Sequence, residues 1–323
     1  MLEFSCVFLS EKSVYVNWFF REIKVMNQNT EELIIQLCLA KLSDKYGQKV
    51  TLERKQYVGG GCINNTVLLK CSEGNFFLKW NSSCPGDMFL KEAAGLQEMY
   101  SVENPYLIIP KVIWAKEMDE LPGLLLMEYL QSSGGTSEQD EKLGRGLAVM
   151  HQKTALQFGF HHDNYCGLTV QDNMWNVNWI EFFGKQRIGY LLGLIKGSRG
   201  ISSGEMDMYG KLIDRLPEIL LHETMPSLIH GDLWSGNYMY TANGPALIDP
   251  ATYYADREME LSIMALFGGF PSRVWAAYRE MYPLPDGWED RNKIYQLYHI
   301  LNHYYLFGGS YLNQATQIAL QFI

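Results

Sequence analysis

The chain has 323 residues, 47% of them hydrophobic and 20% charged, with a formal net charge of -9. That balance describes one large or two modest globular domains, and the acidic excess, with no block of Lys or Arg, argues against nucleic acid as a partner. Six cysteines (Cys6, Cys38, Cys62, Cys71, Cys84 and Cys166) are scattered without CxxC spacing. They suit a reducing, cytoplasmic setting better than a disulfide framework or zinc site, and no stretch has the uniform apolarity of a membrane span.

Residues 1–25 form an N-terminal extension of unclear role. Their apolar runs are interrupted by Glu11, Lys12, Arg21, Glu22 and Lys24, and no signal-peptide pattern is present. Thr30 is the expected N-cap of a first helix carrying Leu33, Ile34, Leu37 and Leu42 and ending before Tyr46-Gly47. Short strands are expected over Lys55–Val58, Thr66–Cys71 and Asn75–Trp80, with Gly59-Gly60-Gly61 between the first two and a hairpin turn at Ser72–Asn75. A helix from near Pro85 carries Phe89, Glu92, Ala93 and Leu96, followed by strands over Ile108–Ala115 and Gly123–Tyr129. Longer helices then fill Leu143–Gln152, Trp175–Leu194 and Glu205–His222. Strands first and helices after give an α+β, two-lobe plan, with a β-rich lobe over residues 26–130, a helical lobe over 131–323 and a linker near Glu128–Gln139.

The chemistry concentrates in His230-Gly231-Asp232-Leu233-Trp234-Ser235-Gly236-Asn237, followed by Ile248-Asp249-Pro250. An Asp, an Asn five residues on and a second Asp beyond an apolar stretch is a phosphoryl-transfer arrangement. Asp232 would serve the attacking hydroxyl, while Asn237 and Asp249 would hold Mg²⁺ beside ATP. Mg²⁺ favours oxygen ligands and keeps several waters, so one amide and one carboxylate suffice. The apolar runs Pro226–Ile229 and Pro245–Ile248 are expected to pair and bring the two aspartates together. His230 is expected to brace the loop.

In the first lobe, Gly59, Gly60 and Gly61 let backbone N–H groups approach phosphate oxygens; a simple turn is the competing reading. Lys79 closes the third strand where a kinase lysine reaches the phosphates, and Glu92, thirteen residues on, supplies its partner. Glu98 and Glu103 read as surface glutamates. Glu128, Tyr129 and Leu130, at the end of the last strand, would meet the adenine edge.

On these motifs the chain resembles the fructosamine kinase (ketosamine-3-kinase) family of the aminoglycoside-phosphotransferase-like and protein-kinase-like folds. The resemblance runs from about Gln28 to the C-terminus and rests on Gly59–Asn64, Phe77-Leu78-Lys79, Glu92–Leu96, His230–Asn237, Ile248–Ala251 and Asp256–Met259. Asn164–Gly167 and Asn173–Phe183 look like the family's acceptor-lobe signature. It implies ATP-dependent phosphorylation of the sugar O3 in fructosamine or ribulosamine adducts, free or protein-bound, and elimination of the unstable product with release of the amine. It also implies that Trp234 offers a flat face to the acceptor, and that Asp256, Arg257 and Glu258 form an ion-pair network under the metal loop. Trp175 and Trp179 are expected on one helix face. The resemblance extends to Cys62, in the glycine loop, either a redox-sensitive thiol or an inert small residue. Two other readings compete: a kinase of the same fold acting on an aminoglycoside or choline-like acceptor, and a non-catalytic nucleotide-binding pseudokinase.

Overall fold

The structure is a computed structural model that describes residues 30–59 and 64–323. The segment 1–25, Gly60, Gly61 and Cys62 therefore lie outside the described residues. Helix α1 covers residues 30–46 and precedes strands β1 (Leu52–Tyr57), β2 (Asn65–Cys71) and β3 (Gly74–Trp80). Then come helix α2 (Met88–Tyr100) and strands β4 (Val112–Lys116) and β5 (Leu124–Glu128). The five strands form one antiparallel sheet in the order β1-β2-β3-β5-β4. Thr30 is already helical, so the start of α1 is not where the cap was expected. The helix buries Ile34, Ile35, Cys38 and Leu42 and exposes Leu33 and Leu37, because the row spaced at four residues from Ile34 is the one turned to the sheet.

Alternation along β5 explains how this sheet serves two cores. Leu124 and Leu126 face one way and pack with α1, whereas Leu125 and Met127 face the other and join α2 and the large helical core. Lys79, opposite Leu125 in the register, shares that second face. Pro110 has no N–H to give the sheet, so β4 starts only after it, and Ile108 instead bridges to Ala246.

The helical lobe opens with α3 (Ser137–Gln152), which starts earlier than expected because Thr136 and Gln139 close a capping box. The linker ends correspondingly sooner. The hairpin β6 (Asn164–Cys166) and β7 (Thr169–Gln171) follows. A continuous helix then runs through α4 (Trp179–Glu181), a π-helical stretch (Phe182–Gly189) and α5 (Tyr190–Ser198). Asn178 caps it, so Trp175 lies outside the helix and shares no helical face with the buried Trp179. After α6 (Ser203–Ile219) come β8 (Ser227–Ile229), β9 (Tyr238–Thr241), β10 (Gly244–Leu247) and β11 (Tyr253–Ala255). The fold closes with α7 (Glu258–Phe267), α8 (Ser272–Met281), α9 (Trp288–Phe307) and α10 (Tyr311–Ala319). Among the described residues, no helix is long and apolar enough to cross a membrane.

The π-helical stretch has a visible cause. Arg187 is fully buried there, its guanidinium against the rings of Tyr253 and Phe182 at 4.1 and 4.5 Å. It donates to Asp172 O at 2.6 Å and Asn173 Oδ1 at 2.7 Å. A cation placed so deep needs those carbonyls and ring faces, and helical register yields to supply them.

Candidate active site

The loops after β8 and β10 carry the candidate residues, but the two short strands do not pair with each other. β8 pairs with β11 and β10 with β9. Each strand takes the segment flanking the other's loop, so the loops cross rather than run side by side. His230 ties the crossing. Its Nε2–H donates to Ile248 O at 2.8 Å, and its Nδ1 accepts from the Asp232 amide at 3.3 Å. The Ala251 amide donates to His230 O at 2.9 Å, and the Ile248 amide to Asn237 O at 3.0 Å. Burial lowers the imidazole pKa, which keeps the neutral tautomer these bonds require. His230 is thus a brace, as its sequence context suggests.

Backbone geometry at the crossing is restrictive. Gly231 has φ +84, and a Cβ there would lie 2.2 Å from Ala251 O, so only glycine fits. Asp249 is the only non-glycine residue among the described residues with positive φ, at 57°. Asp tolerates this region better than most side chains, and such strain gathers at working sites.

Lys79 reaches this loop from the sheet. Its Nζ lies 2.9 and 3.0 Å from the two Glu92 oxygens and 2.9 Å from Asp249 Oδ1. Burial alone would depress the ammonium, but Asp249 and Glu92 together hold its pKa above the ordinary lysine value. Burial in turn raises the Glu92 carboxyl against the pull of Lys79. One cation therefore joins the sheet, α2 and the loop after β10.

Asp232 is half-buried, and Asn237 Nδ2 donates to its backbone oxygen at 2.8 Å and to its Oδ2 at 3.3 Å. Burial, then the carboxylates of Glu260 and Asp249, push the Asp232 carboxyl up to about 8. The Asn237 amide opposes this shift. With its nitrogen spent on Asp232, Asn237 leaves its amide oxygen to accept. Hard oxygen donors in a region of unbalanced negative charge fit Mg²⁺.

Other expected residues fall as follows. Trp234 is 43% exposed, its ring folded over Gly236, where a Cβ would lie 2.1 Å from it. Gly59 is open, with nothing among the described residues within 4 Å of a Cβ. The strand-end trio is partly committed. The amide of Glu128 donates to Lys111 O at 3.0 Å and that of Tyr129 to Asn75 O at 3.2 Å, while Glu128 Oε1 accepts from the Lys111 amide at 3.0 Å. Of the expected Asp256, Arg257 and Glu258 network, Asp256 and Glu258 alone take part, and their partners come from far away. Asp256 Oδ2 meets His222 Nε2 at 2.7 Å and the Tyr295 hydroxyl at 2.5 Å, and Glu258 takes Arg291 at 2.6 and 2.9 Å. Arg257 stays out of it, donating to the carbonyls of Tyr282 and Pro283.

Sequence reasoning missed Glu260. This wholly buried carboxylate accepts the amides of His230 at 2.5 Å and Gly231 at 3.2 Å. His151 Nε2 lies 3.9 Å away. A lone Glu inside the apolar run Met259–Met264 was the available signal. Glu98 was misjudged as a surface residue, since its Oε1 accepts the Tyr254 hydroxyl at 2.6 Å.

The family model for fructosamine kinase matches residues 34–323. The protein-ribulosamine 3-kinase of Arabidopsis thaliana is 39% identical over 279 residues, covering 84% of this chain and 83% of that one. A protein of Synechocystis assigned as a ketoamine kinase is 35% identical over 88% of this chain and 96% of its own. Among solved structures, one from Thermobifida fusca assigned as a fructosamine-3-kinase superposes with a TM-score of 0.77 at 30% identity, covering 88% of this chain and 98% of that one. An aminoglycoside phosphotransferase in ternary complex with AMP-PNP and hygromycin B gives a TM-score of 0.56 at 12% identity, covering 88% of this chain and 94% of that one, and so shares the fold.

Proposed function

The chain belongs to the fructosamine kinase family of ATP-dependent phosphotransferases, and on that premise we propose that it transfers the γ-phosphoryl group of ATP to O3 of the sugar in ketoamine adducts. The observation that carries this reading is the convergence of Glu92 and Asp249 on the Lys79 ammonium, beside the Asp232–Asn237 pair. In this reading Lys79, set by Glu92, holds the α/β-phosphates, and Asp232 Oδ takes the proton of the acceptor hydroxyl as O3 bonds to phosphorus and ADP leaves. Asn237 Oδ1 and Asp249 would hold Mg²⁺, which when bound neutralises charge on the phosphates. In this reading the glycine loop, of which only Gly59 is among the described residues, would serve the phosphates through its backbone N–H groups. Glu128, Tyr129 and Leu130 border the adenine, and with two amides already bonded, Leu130 N–H and the strand-end carbonyls are the groups offered to it. Trp234 presents its exposed face to the sugar or amine.

Phosphate on C3, next to the C2 carbonyl, is a better leaving group than the hydroxyl it replaces. Enolisation toward C1 expels that phosphate and leaves an imine at C1, which water hydrolyses to the free amine and a dicarbonyl sugar, and this makes the reaction a deglycation. Residues 26–130 act as the nucleotide lobe and 131–323 as the acceptor lobe, and a reducing, ATP-containing compartment such as the cytoplasm suits the unpaired Cys38, Cys71, Cys84 and Cys166. Steady-state kinetics with Mg·ATP on ribulose-lysine, fructose-lysine, an aminoglycoside and choline test the proposal. Turnover confined to the ketoamines, and lost in Asp232→Ala, supports it; turnover only on the other acceptors sinks it.

A further inference from the structure

Helix α2 carries Glu92 and is fastened to the helical lobe on both sides of that residue. Asp87 stands at its N-cap position, where Asp ordinarily bonds the helix end, yet its side chain makes no capping bond. Its Oδ1 instead accepts the Tyr165 hydroxyl at 2.7 Å. Tyr165 belongs to β6, and the β6–β7 hairpin in turn grips the loop after Asp249. Asn164 Nδ2 donates to Thr252 O at 2.8 Å and Gln171 Nε2 to Ala251 O at 3.3 Å. At the other end of α2, Glu98 Oε1 accepts the hydroxyl of Tyr254, a 96% buried residue of β11. Between the two bonds, Gly95 lies so close to Thr252 that a Cβ would stand 3.1 Å from its Oγ1.

We infer that Tyr165 and Tyr254 are positioning residues, forming two hydroxyl–carboxylate clasps that keep Glu92 in register with Lys79 before nucleotide binds. The inference rests on the reading in which Lys79 and Glu92 serve ATP. A helix held at one point can pivot; held at points about 16 Å apart, at 1.5 Å per residue, it cannot slide or swing. Glu92 sits near the middle of that span. Both clasps end on the segment that carries Asp249 or on the hairpin bonded to it, so the same contacts fix both carboxylates that share Lys79.

Replacing either tyrosine by phenylalanine removes the hydroxyl and leaves the ring. Mg·ATP affinity by titration calorimetry, KM for ATP and for ribulose-lysine, and amide hydrogen exchange along α2 are read for Tyr165→Phe, Tyr254→Phe and the double variant, with Glu92→Gln alongside. Each single change should weaken ATP about fivefold, the scale of a partly used hydrogen bond to a charged acceptor. The double variant should lose more than either single, with faster exchange over residues 88–100. Tyr254→Phe should leave the acceptor KM unmoved. Asp87→Asn and Glu98→Gln, which keep an accepting oxygen, should stay within about twofold of the parent, since their hydrogen bonds persist. Clasp variants that bind ATP as the parent does, while Glu92→Gln loses it, overturn the clasps alone. Unchanged ATP affinity in Glu92→Gln overturns the reading beneath them.

Discussion

Replacing Glu260 by Gln tests how the loop after β8 is held. The carboxylate accepts two backbone amides, from His230 and Gly231, in a site without solvent access. A carboxamide can accept one of them with its oxygen, but its NH₂ must then face the other N–H. One hydrogen bond to a charged acceptor, worth about 1.5–3 kcal/mol, is lost, and a buried donor is left unsatisfied. A net loss of about 3 kcal/mol is expected, less than the sum because the loop can relax toward water. With an unfolding entropy of about 2.1 cal/mol/K per residue, 323 residues give roughly 1.5 °C per kcal/mol, so Tm should fall by about 4–5 °C. A second readout moves for an independent reason. Glu260 is one of the carboxylates that push Asp232 up to about 8, so neutralising it lowers the Asp232 pKa. The acid limb of kcat/KM should then shift to lower pH. Thermal unfolding and a pH–rate profile measure the two effects. A variant that melts within about 1 °C of the parent and keeps its acid limb would refute this account of the loop.

Three further outcomes are expected. Asp232→Asn should cut kcat by about 10³-fold, the range of a lost general base. In the nucleotide-free protein it should also gain stability on the parent as pH rises. The folded carboxyl titrates near 8 against an ordinary 3.8, so its contribution is full below pH 4 and lost toward pH 8. Because Asp232 is only half-buried, the gain at pH 9, read by denaturant titration, should be about 1–2 kcal/mol. His299 is pulled down to about 3, first by burial and then by His303 and Arg187. Its stability contribution is full above about pH 6.5 and fades as pH falls toward 3, so His299→Gln should flatten the acid slope of unfolding by close to one proton, about 1.4 kcal/mol per pH unit. Trp234→Ala should raise KM for the ketoamine about tenfold, the loss of one aromatic face. Its Tm should change little, because 43% of the residue is already exposed.

The sequence carried the chemistry better than the geometry that assembles it. Lys79, Glu92, Asp232, Asn237 and Asp249 stood out because phosphoryl transfer would need those groups in that chain order, and the fold brings Glu92 and Asp249 to Lys79 and Asn237 to Asp232. Strands β1–β3 and β5 were readable from apolar runs broken by glycine, and the structure shifts their ends by at most three residues. What escaped was set by distant partners. The pairing of β8 with β11 depends on segments that loops separate, so local pattern suggested the wrong pair. Trp175 was placed on a helix because its spacing to Trp179 suits one, whereas Asn178 starts the helix after it. Glu260 and Glu98 carry no local mark of their partners, the amides of His230 and Gly231 in one case and Tyr254 in the other. A carboxylate's burial is a property of the fold, and a single sequence shows it only as an oddity in an apolar run.

Transfer to O3 assisted by Asp232 is tested most directly by ³¹P–¹H correlation NMR of ribulose-lysine mixed with Mg·ATP and enzyme. The predicted result is a phosphate ester coupled to the proton on C3, which decays to inorganic phosphate and free lysine and never forms with Asp232→Ala. An ester on another carbon, undiminished product from Asp232→Ala, or inorganic phosphate with no sugar ester at any time would contradict it.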